Sequence, residues 1–236
     1  MSLADLPHVL SARADIWRGD QTPPAISAVN DGGLSSGFAE LDALLPGGGW
    51  PRGALTEIIL PHEGVGALSL LMPALARLSH ARRWLAWVSP PHIPYAPALA
   101  YAGIDLSRVL LVRPKARTDG LWALEQTLRA GTCGAVMAWP AANLTTTQLR
   151  RLQLAAEEGN TWGTLFRVGR AAEQQASPAA LRLRLEATDR GLAVHVLKRR
   201  GAWAAGPVHL DIGRALVMHA SSPTAIGSVQ PGRGLS

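Results

Sequence analysis

The chain has 236 residues, which is enough for one full α/β domain with short appendages. Hydrophobic residues make up 47% of it and support a buried core, while the net charge of +6 favours acidic partners. No apolar run reaches the ~18 residues that a bilayer span needs, so we expect no membrane contact.

A single cysteine, Cys133, excludes an internal disulfide and indicates a reducing, cytoplasmic setting. The first residues contain Asp5 and no basic stretch, so we expect no signal peptide. The arginines are spread along an Ala- and Leu-rich chain and not gathered in one segment. We therefore expect contact with DNA to be weak and salt-sensitive.

Three regions are predicted along the chain. Residues 1–34 form an N-terminal arm and linker, in which apolar side chains between Leu3 and Trp17 recur at helical spacing. Residues 35–212 form the core domain. Residues 213–236 are rich in Gly, Ser and Pro without periodicity, which predicts a flexible C-terminal tail.

Within the core, apolar strands alternate with amphipathic helices, which predicts a mostly parallel sheet covered on both faces. Buried strands are predicted near residues 54–60, 84–89, 109–112, 135–139 and 164–168, and helices near 36–45, 67–78, 95–101, 119–130 and 145–158. The tryptophans in these strands are expected in the core: Trp84, Trp87 and Trp139. Helix carboxylates such as Glu125 are expected on solvated faces.

The end of the core has a different pattern. Leu181 to Glu186 alternates apolar and charged residues, Asp189 to Gly191 is a turn, and Leu192 to Leu197 returns. This predicts an antiparallel β-hairpin with one solvent-facing side, to which Pro207 to Ile212 adds a strand. The predicted fold is an α/β core with a mostly parallel central sheet flanked by helices and a C-terminal antiparallel hairpin.

The first strand leads into a turn with the layout of a phosphate-binding loop, in which glycines precede a Lys and a Ser or Thr at the start of a helix. We take Gly66 as the last loop glycine, with Gly64 before it. Pro61 then stands in place of the first glycine, Ala67 in place of the Lys, and Leu68 in place of the Ser or Thr. Nothing is left to neutralise phosphates or hold Mg²⁺. A plain strand–turn–helix with two glycines is the alternative interpretation.

Several stretches resemble the RecA recombinase family. They are Ser36 to Asp42, Gly103-Ile104-Asp105, the hairpin ending in Lys198-Arg199-Arg200, and Ile16-Trp17-Arg18-Gly19, which is similar to the RecA N-terminal arm. The likeness runs from about residue 35 to 168 and resumes from 177 to 212. It implies a RecA-like core.

Two further stretches most closely resemble the ImuA family, the RecA-like accessory proteins of bacterial damage-induced mutagenesis. They are Leu60-Pro61-His62 followed by Glu63-Gly64-Val65-Gly66, and Ala179 to Leu185. The related SulA family of cell-division inhibitors is a more distant resemblance.

The resemblance to RecA implies that the catalytic positions are empty. Ala67 and Leu68 stand at the positions of the phosphate-loop Lys and Thr. Pro91 stands at the position of the glutamate that activates water, and Trp139 at that of the metal-binding aspartate. We therefore expect no enzyme activity and no nucleotide or metal cofactor. Leu68 and Trp139 suggest an apolar filling where nucleotide would lie.

The DNA-binding loops of RecA are also shortened here. Only residues 140–144 follow the fourth strand, and residues 169–176 follow the fifth with one basic residue, Arg170. The resemblance therefore implies no binding of single strands through two long loops.

The ImuA resemblance implies a non-enzymatic role in SOS-induced translesion DNA synthesis. Its implied partners are the Y-family protein ImuB, an error-prone replicative-type DNA polymerase, and RecA. The expected partner-binding residues are Lys198, Arg199, Arg200, Ile16 and Trp17, and Lys198 with Arg200 is expected to cap a RecA filament. The alternative is a SulA-like inhibitor of the tubulin-like cell-division protein.

Overall fold

The computed structural model describes residues 32–114, 117–141, 143–201 and 204–213, and the account below concerns the unit that begins at Gly33. The predicted N-terminal arm with Ile16 and Trp17 lies outside these residues. So does the predicted flexible tail, apart from Gly213.

One eight-stranded sheet organises the core, in the order β3-β2-β4-β5-β1-β6-β7-β8. The strands are β1 (Leu55–Leu60), β2 (Trp84–Val88), β3 (Val109–Val112), β4 (Cys133–Ala138), β5 (Trp162–Val168), β6 (Leu181–Thr188), β7 (Gly191–Arg199) and β8 (Ala205–Leu210). Strands β1 to β6 run parallel, and β7 and β8 are antiparallel additions. The predicted α/β class, with a mostly parallel sheet and a C-terminal antiparallel hairpin, is confirmed.

The helices connect these strands. They are α1 (Ala39–Asp42), α2 (Ala67–His80), α3 (Ala96–Tyr101), α4 (Arg117–Arg129), α5 (Thr146–Glu158) and α6 (Arg170–Gln174), with short 3₁₀ turns at Pro46–Gly48 and Leu106–Arg108. Helix α5 begins with a capping box, because Thr145 accepts a hydrogen bond from the Gln148 amide and Gln148 accepts one from the Thr145 amide.

Each face of the sheet has its own hydrophobic cluster. Helix α2 packs on one face, where Ile58 and Leu75 are fully buried and Trp50 stacks on Trp162 at 5.2 Å. Helices α4 and α5 cover the other face, with Leu128 and Leu149 fully buried. The strands between them are buried on both sides, which explains their continuous apolar sequences.

The helix predicted near residues 36–45 is shorter than expected and spans only Ala39–Asp42. The Asp42 carboxylate accepts hydrogen bonds from the Ser36 amide at 2.7 Å and the Ser35 hydroxyl at 2.6 Å. The Ser36 hydroxyl accepts one from the Phe38 amide. These local bonds hold the preceding backbone in a non-helical turn.

The solvent-facing side that the hairpin alternation predicts is present only in part. The side chains of Arg184 and Glu186 are 33% and 49% exposed, as expected. Arg182 on β6 is buried instead, and its Nε donates to Glu57 Oε2 at 2.7 Å. Arg167 on β5 donates to Glu57 Oε1 at 2.8 Å, and the Glu57 side chain is 0% exposed. A carboxylate in the central strand therefore brings two arginines of neighbouring strands into the interior.

Further hydrogen bonds connect this cluster to the loops beside it. Arg167 Nη2 donates to Gln175 Oε1 at 2.7 Å, and Gln175 Nε2 donates to the Leu144 carbonyl at 2.7 Å. Arg182 Nη2 donates to the Ala172 carbonyl in α6 at 2.6 Å. The ion pairs thus hold β1, β5, β6 and α6 together.

Replacing Glu57 with Gln should lower the free energy of unfolding by about 3 kcal/mol, because two buried guanidinium groups lose their shared negative charge. Urea denaturation monitored by circular dichroism measures this. The matched control is Glu63→Gln at an exposed loop position, where we expect a change below about 0.5 kcal/mol. Equal stability of the two variants would contradict the role assigned to Glu57.

Cys133 should react slowly with thiol reagents in the folded protein. Its side chain is buried, and this burial raises the pKa of the thiol, with Thr132 and Arg83 opposing the change. A raised pKa leaves less thiolate at a given pH, and burial blocks access. Reaction with a disulfide reagent at pH 8 should be at least about tenfold slower in buffer than in urea. Equal rates would contradict this.

Candidate functional site

A cleft of about 780 Å³ opens at the carboxyl ends of four neighbouring parallel strands, β1, β5, β4 and β2. In open α/β sheets this edge is where ligands bind, because loops there diverge to opposite faces. The cleft is therefore the candidate functional site.

The loop between β1 and α2 forms one wall of the cleft. Gly64 and Gly66 adopt φ values of 83° and 84°, and Gly66 directly precedes the first residue of α2. A Cβ at either position would meet no atom within 4 Å. The two glycines are therefore required for the left-handed backbone and not for close contact with a neighbour.

The structure brings together the positions at which the resemblance implies lost catalytic residues. Ala67 and Leu68 at the start of α2, Pro91 after β2 and Trp139 after β4 all line the cleft. Gly64 and Gly66 line it too.

Pro61 lies apart from this group. It lines a second cavity of about 320 Å³ on the other side of the loop, together with Arg170 and Arg184.

An aromatic ladder, defined as Trp87, Trp139 and Phe166, forms a wall of the cleft. The Trp139 ring stacks on Trp87 at 5.9 Å and on Phe166 at 4.5 Å, with interplanar angles of 20° and 13°. Trp87 and Phe166 are buried, whereas Trp139 is half-buried. Sequence reasoning missed the stack, although an aromatic residue near the carboxyl end of each of three strands was its signal.

The expectation that all three strand tryptophans are core residues is correct only for Trp87. Trp139 follows β4 and faces the cleft, and the buried Nε1 of Trp87 has no hydrogen-bond partner among the described residues. Trp84 is 38% exposed, with the Arg108 guanidinium 5.4 Å from its ring centroid. It lies at the amino end of β2, away from the cleft.

The prediction that Glu125 lies on a solvated helix face is wrong. Its side chain is 7% exposed and forms ion pairs with Arg129 and Arg151. The second arginine comes from the neighbouring helix α5, so the pairing of α4 with α5 buries this carboxylate.

The cleft offers little positive charge. Arg167 is among its lining residues, but its guanidinium is occupied by Glu57 and Gln175. Glu63 lines the loop side as an exposed carboxylate. No lysine is among the described residues that line the cleft. The described lining therefore offers a triphosphate no lysine and no unoccupied guanidinium.

The predicted partner-binding triplet is remote from the cleft. Arg199 pairs with Leu181 at the start of β6, so the triplet lies at the amino edge of the parallel strands. Lys198 Nζ donates to the Ser177 carbonyl at 2.7 Å, and Arg199 Nη1 donates to the Leu44 carbonyl. Arg200 is exposed. Burial, and then Arg182, lower the pKa of Lys198, while Glu57 opposes this.

None of the helices in the described part of the chain combines the length and apolarity that a bilayer span requires. Within the described ranges, no three His, Cys, Asp or Glu side chains are grouped so that they could hold a metal ion.

Comparisons with known proteins define the family. The family model described as "Cell division inhibitor SulA" matches residues 53–163. The cell division inhibitor SulA of Pectobacterium carotovorum subsp. carotovorum (strain PC1) is 31% identical over 118 residues, covering 49% of this chain and 68% of that protein. The SulA of Edwardsiella piscicida is 34% identical over 100 residues, which cover 42% of this chain and 59% of that protein. The chain belongs to the SulA family.

A solved structure is also similar. The crystal structure of SulA from Pseudomonas aeruginosa has 29% sequence identity and a TM-score of 0.42, and the match covers 49% of this chain and 98% of that one.

These relatives correct the functional expectation. A role in mutagenic translesion synthesis, with ImuB, an error-prone polymerase and RecA as partners, is wrong, because the matching family and relatives are cell division inhibitors. The prediction that Lys198 and Arg200 cap a RecA filament depended on this role and is wrong for the same reason.

Replacing Gly66 with Ala should lower the free energy of unfolding by about 1 kcal/mol, because an L-residue is strained at a positive φ. The matched control is Gly206→Ala in β8, which has the same open space around the added Cβ but no positive φ. We expect that control to change stability by less than about 0.5 kcal/mol. Thermal denaturation compares them, and an unaffected Gly66 variant would contradict the loop assignment.

Proposed function

We propose that this protein inhibits cell division by binding the tubulin-like cell-division protein. The observation that supports this is membership of the SulA family, whose matched relatives are named cell division inhibitors. The matched segment, residues 53–163, runs from the loop before β1 into the first residues of β5. It therefore contains α2 and the sheet edge formed by β2 and β3.

Exposed apolar side chains support a role in protein–protein contact. Nine of the ten large hydrophobic residues that are exposed in the described structure lie within the matched segment: Trp84, Ile93, Tyr95, Tyr101, Leu106, Leu110, Leu111, Trp122 and Leu154. Isolated apolar residues are common on surfaces, but groups of them mark interaction sites.

Strand β3 is the best candidate for the contact. It is the last strand of the sheet, so one of its edges has no neighbouring strand in the described structure. Leu110 is 44% exposed and Leu111 38% exposed on this strand, and Trp84 lies on the adjacent β2. An edge strand with apolar side chains is suited to pairing with another protein.

We further propose that the protein is not an enzyme and acts without nucleotide. Phosphoryl transfer depends on a Lys, a metal and an activating carboxylate, and the corresponding positions hold Ala67, Leu68, Pro91 and Trp139. Their meeting in one cleft supports this proposal. That the core is RecA-like, and that the chain resembles the ImuA family in particular, stay predictions from the sequence.

The direct test measures polymerisation of the purified division protein by light scattering. Inhibition should need roughly one copy of this chain per division-protein subunit, since sequestration follows mass action. Leu110→Asp should weaken inhibition about tenfold by placing a charge in an apolar contact. The matched control is Leu154→Asp on α5, where Leu154 is 49% exposed.

Thermal denaturation confirms that both variants are folded. Unchanged polymerisation at excess wild-type protein would contradict the proposed function. Equal inhibition by both variants would contradict only the β3 contact.

ATP with Mg²⁺ should not bind at micromolar concentrations, because the described lining of the cleft holds no lysine and no unoccupied guanidinium, and Glu63 repels phosphate. Isothermal titration calorimetry checks this, with a Mg²⁺-free titration as the control. Tight, Mg²⁺-dependent binding would contradict the proposal that the site has lost its chemistry.

A further inference from the structure

We propose that the cleft is a binding site for an uncharged molecule that carries a planar aromatic ring. This inference does not rest on the proposed function, because the cleft and the β3 edge are different surfaces. It follows from the size of the cleft, the side chains of its walls and its charge.

The cleft has the dimensions of a ligand site. Its volume of about 780 Å³ lies within the ~300–1,000 Å³ that is typical of small-molecule pockets. The side chains that replace the catalytic residues do not fill it. The open space around Gly64 and Gly66 belongs to the same cavity.

The walls are mostly apolar, and the aromatic ladder belongs to them. The polar side chains of the described lining are Glu63, His92, Asn143 and Arg167. Trp139 is the middle ring of the ladder and stacks on Trp87 and on Phe166, which come from the strands on either side of it. Its ring is half-buried, so a ligand can contact the exposed edge of Trp139 without opening the core. Aromatic rings pack against one another with an extra ~0.5–1.5 kcal/mol beyond area burial.

Charge decides against an anionic ligand. The Arg167 guanidinium is only 4% exposed and shares the Glu57 carboxylate with Arg182. The remaining ionised group on the loop side is Glu63, which is exposed. An anion in the cleft loses hydration and gains no opposite charge from the described residues that line it, whereas an uncharged ring has no such cost.

Two fluorescent probes differ in the required property alone. N-phenyl-1-naphthylamine is uncharged, and 1-anilinonaphthalene-8-sulfonate is the same molecule with one added sulfonate. Titrated into the full chain, the uncharged probe should saturate one site and bind at least about tenfold more tightly than the anion. Absence of saturable binding, or tighter binding of the anion, would overturn the proposal.

Variants locate the site. Trp139→Ala removes the half-buried ring of the ladder and should weaken binding of the uncharged probe at least about tenfold. Leu68→Trp fills the cleft from the α2 side and should have the same effect even if the first variant is poorly folded. The matched control is Trp122→Ala on α4, where the ring is 63% exposed and does not line the cleft.

The control variant should bind the probe as the wild type does. Unchanged binding in a folded Leu68→Trp protein would place the probe elsewhere and overturn the proposal. Thermal denaturation of each variant establishes that it is folded.

Glu63→Gln tests the charge argument separately. Removing this carboxylate should lower the ratio of the anion's Kd to that of the uncharged probe about three-fold or more, because the anion binds more tightly and the uncharged probe binds as before. Raising the salt concentration should lower this ratio in the wild type and change it less in the variant. If neither change affects the ratio, the charge selectivity assigned to the cleft is wrong.

Discussion

The buried carboxylate of Glu57 and the two arginines that bind it hold the centre of the structure together. Three charged side chains with at most 9% exposure would be costly in an apolar core. They are tolerated because every strand around them contributes: β1 supplies the acid, β5 and β6 the bases, and Gln175 and the Ala172 carbonyl the remaining acceptors. The cluster connects β1, β5, β6 and α6 through hydrogen bonds and ion pairs.

The same cluster decides the chemistry of the cleft. Arg167 reaches the cleft wall, but Glu57 and Gln175 use its guanidinium, so the cleft has no free cation from the end of β5. The loop after β1 has left-handed glycines at positions 64 and 66, and Ala67 and Leu68 follow them. The backbone of such a turn and the side chains that follow it can therefore vary separately, and the described lining of the cleft is mostly apolar.

The proposed function is recognition of another protein. The segment shared with the SulA family carries most of the exposed apolar side chains, and β3 ends the sheet with Leu110 and Leu111 exposed. The basic triplet, which resemblance to RecA made the leading contact, lies at the opposite edge of the sheet from the cleft, with Lys198 bound to a carbonyl of its own chain. Sequence order alone did not reveal that separation.

The alternation of strands and helices and the terminal hairpin could be predicted from the sequence, because hydrophobic period and glycine placement are local properties. That Ala67, Leu68, Pro91 and Trp139 replace catalytic residues stays a prediction from the resemblance. The burial of Arg182 could not be predicted, since its partner Glu57 is distant in sequence and is brought to it by the pairing of β1 with β6. The aromatic ladder likewise forms from three strands. Such contacts depend on strand order, which local patterns do not specify.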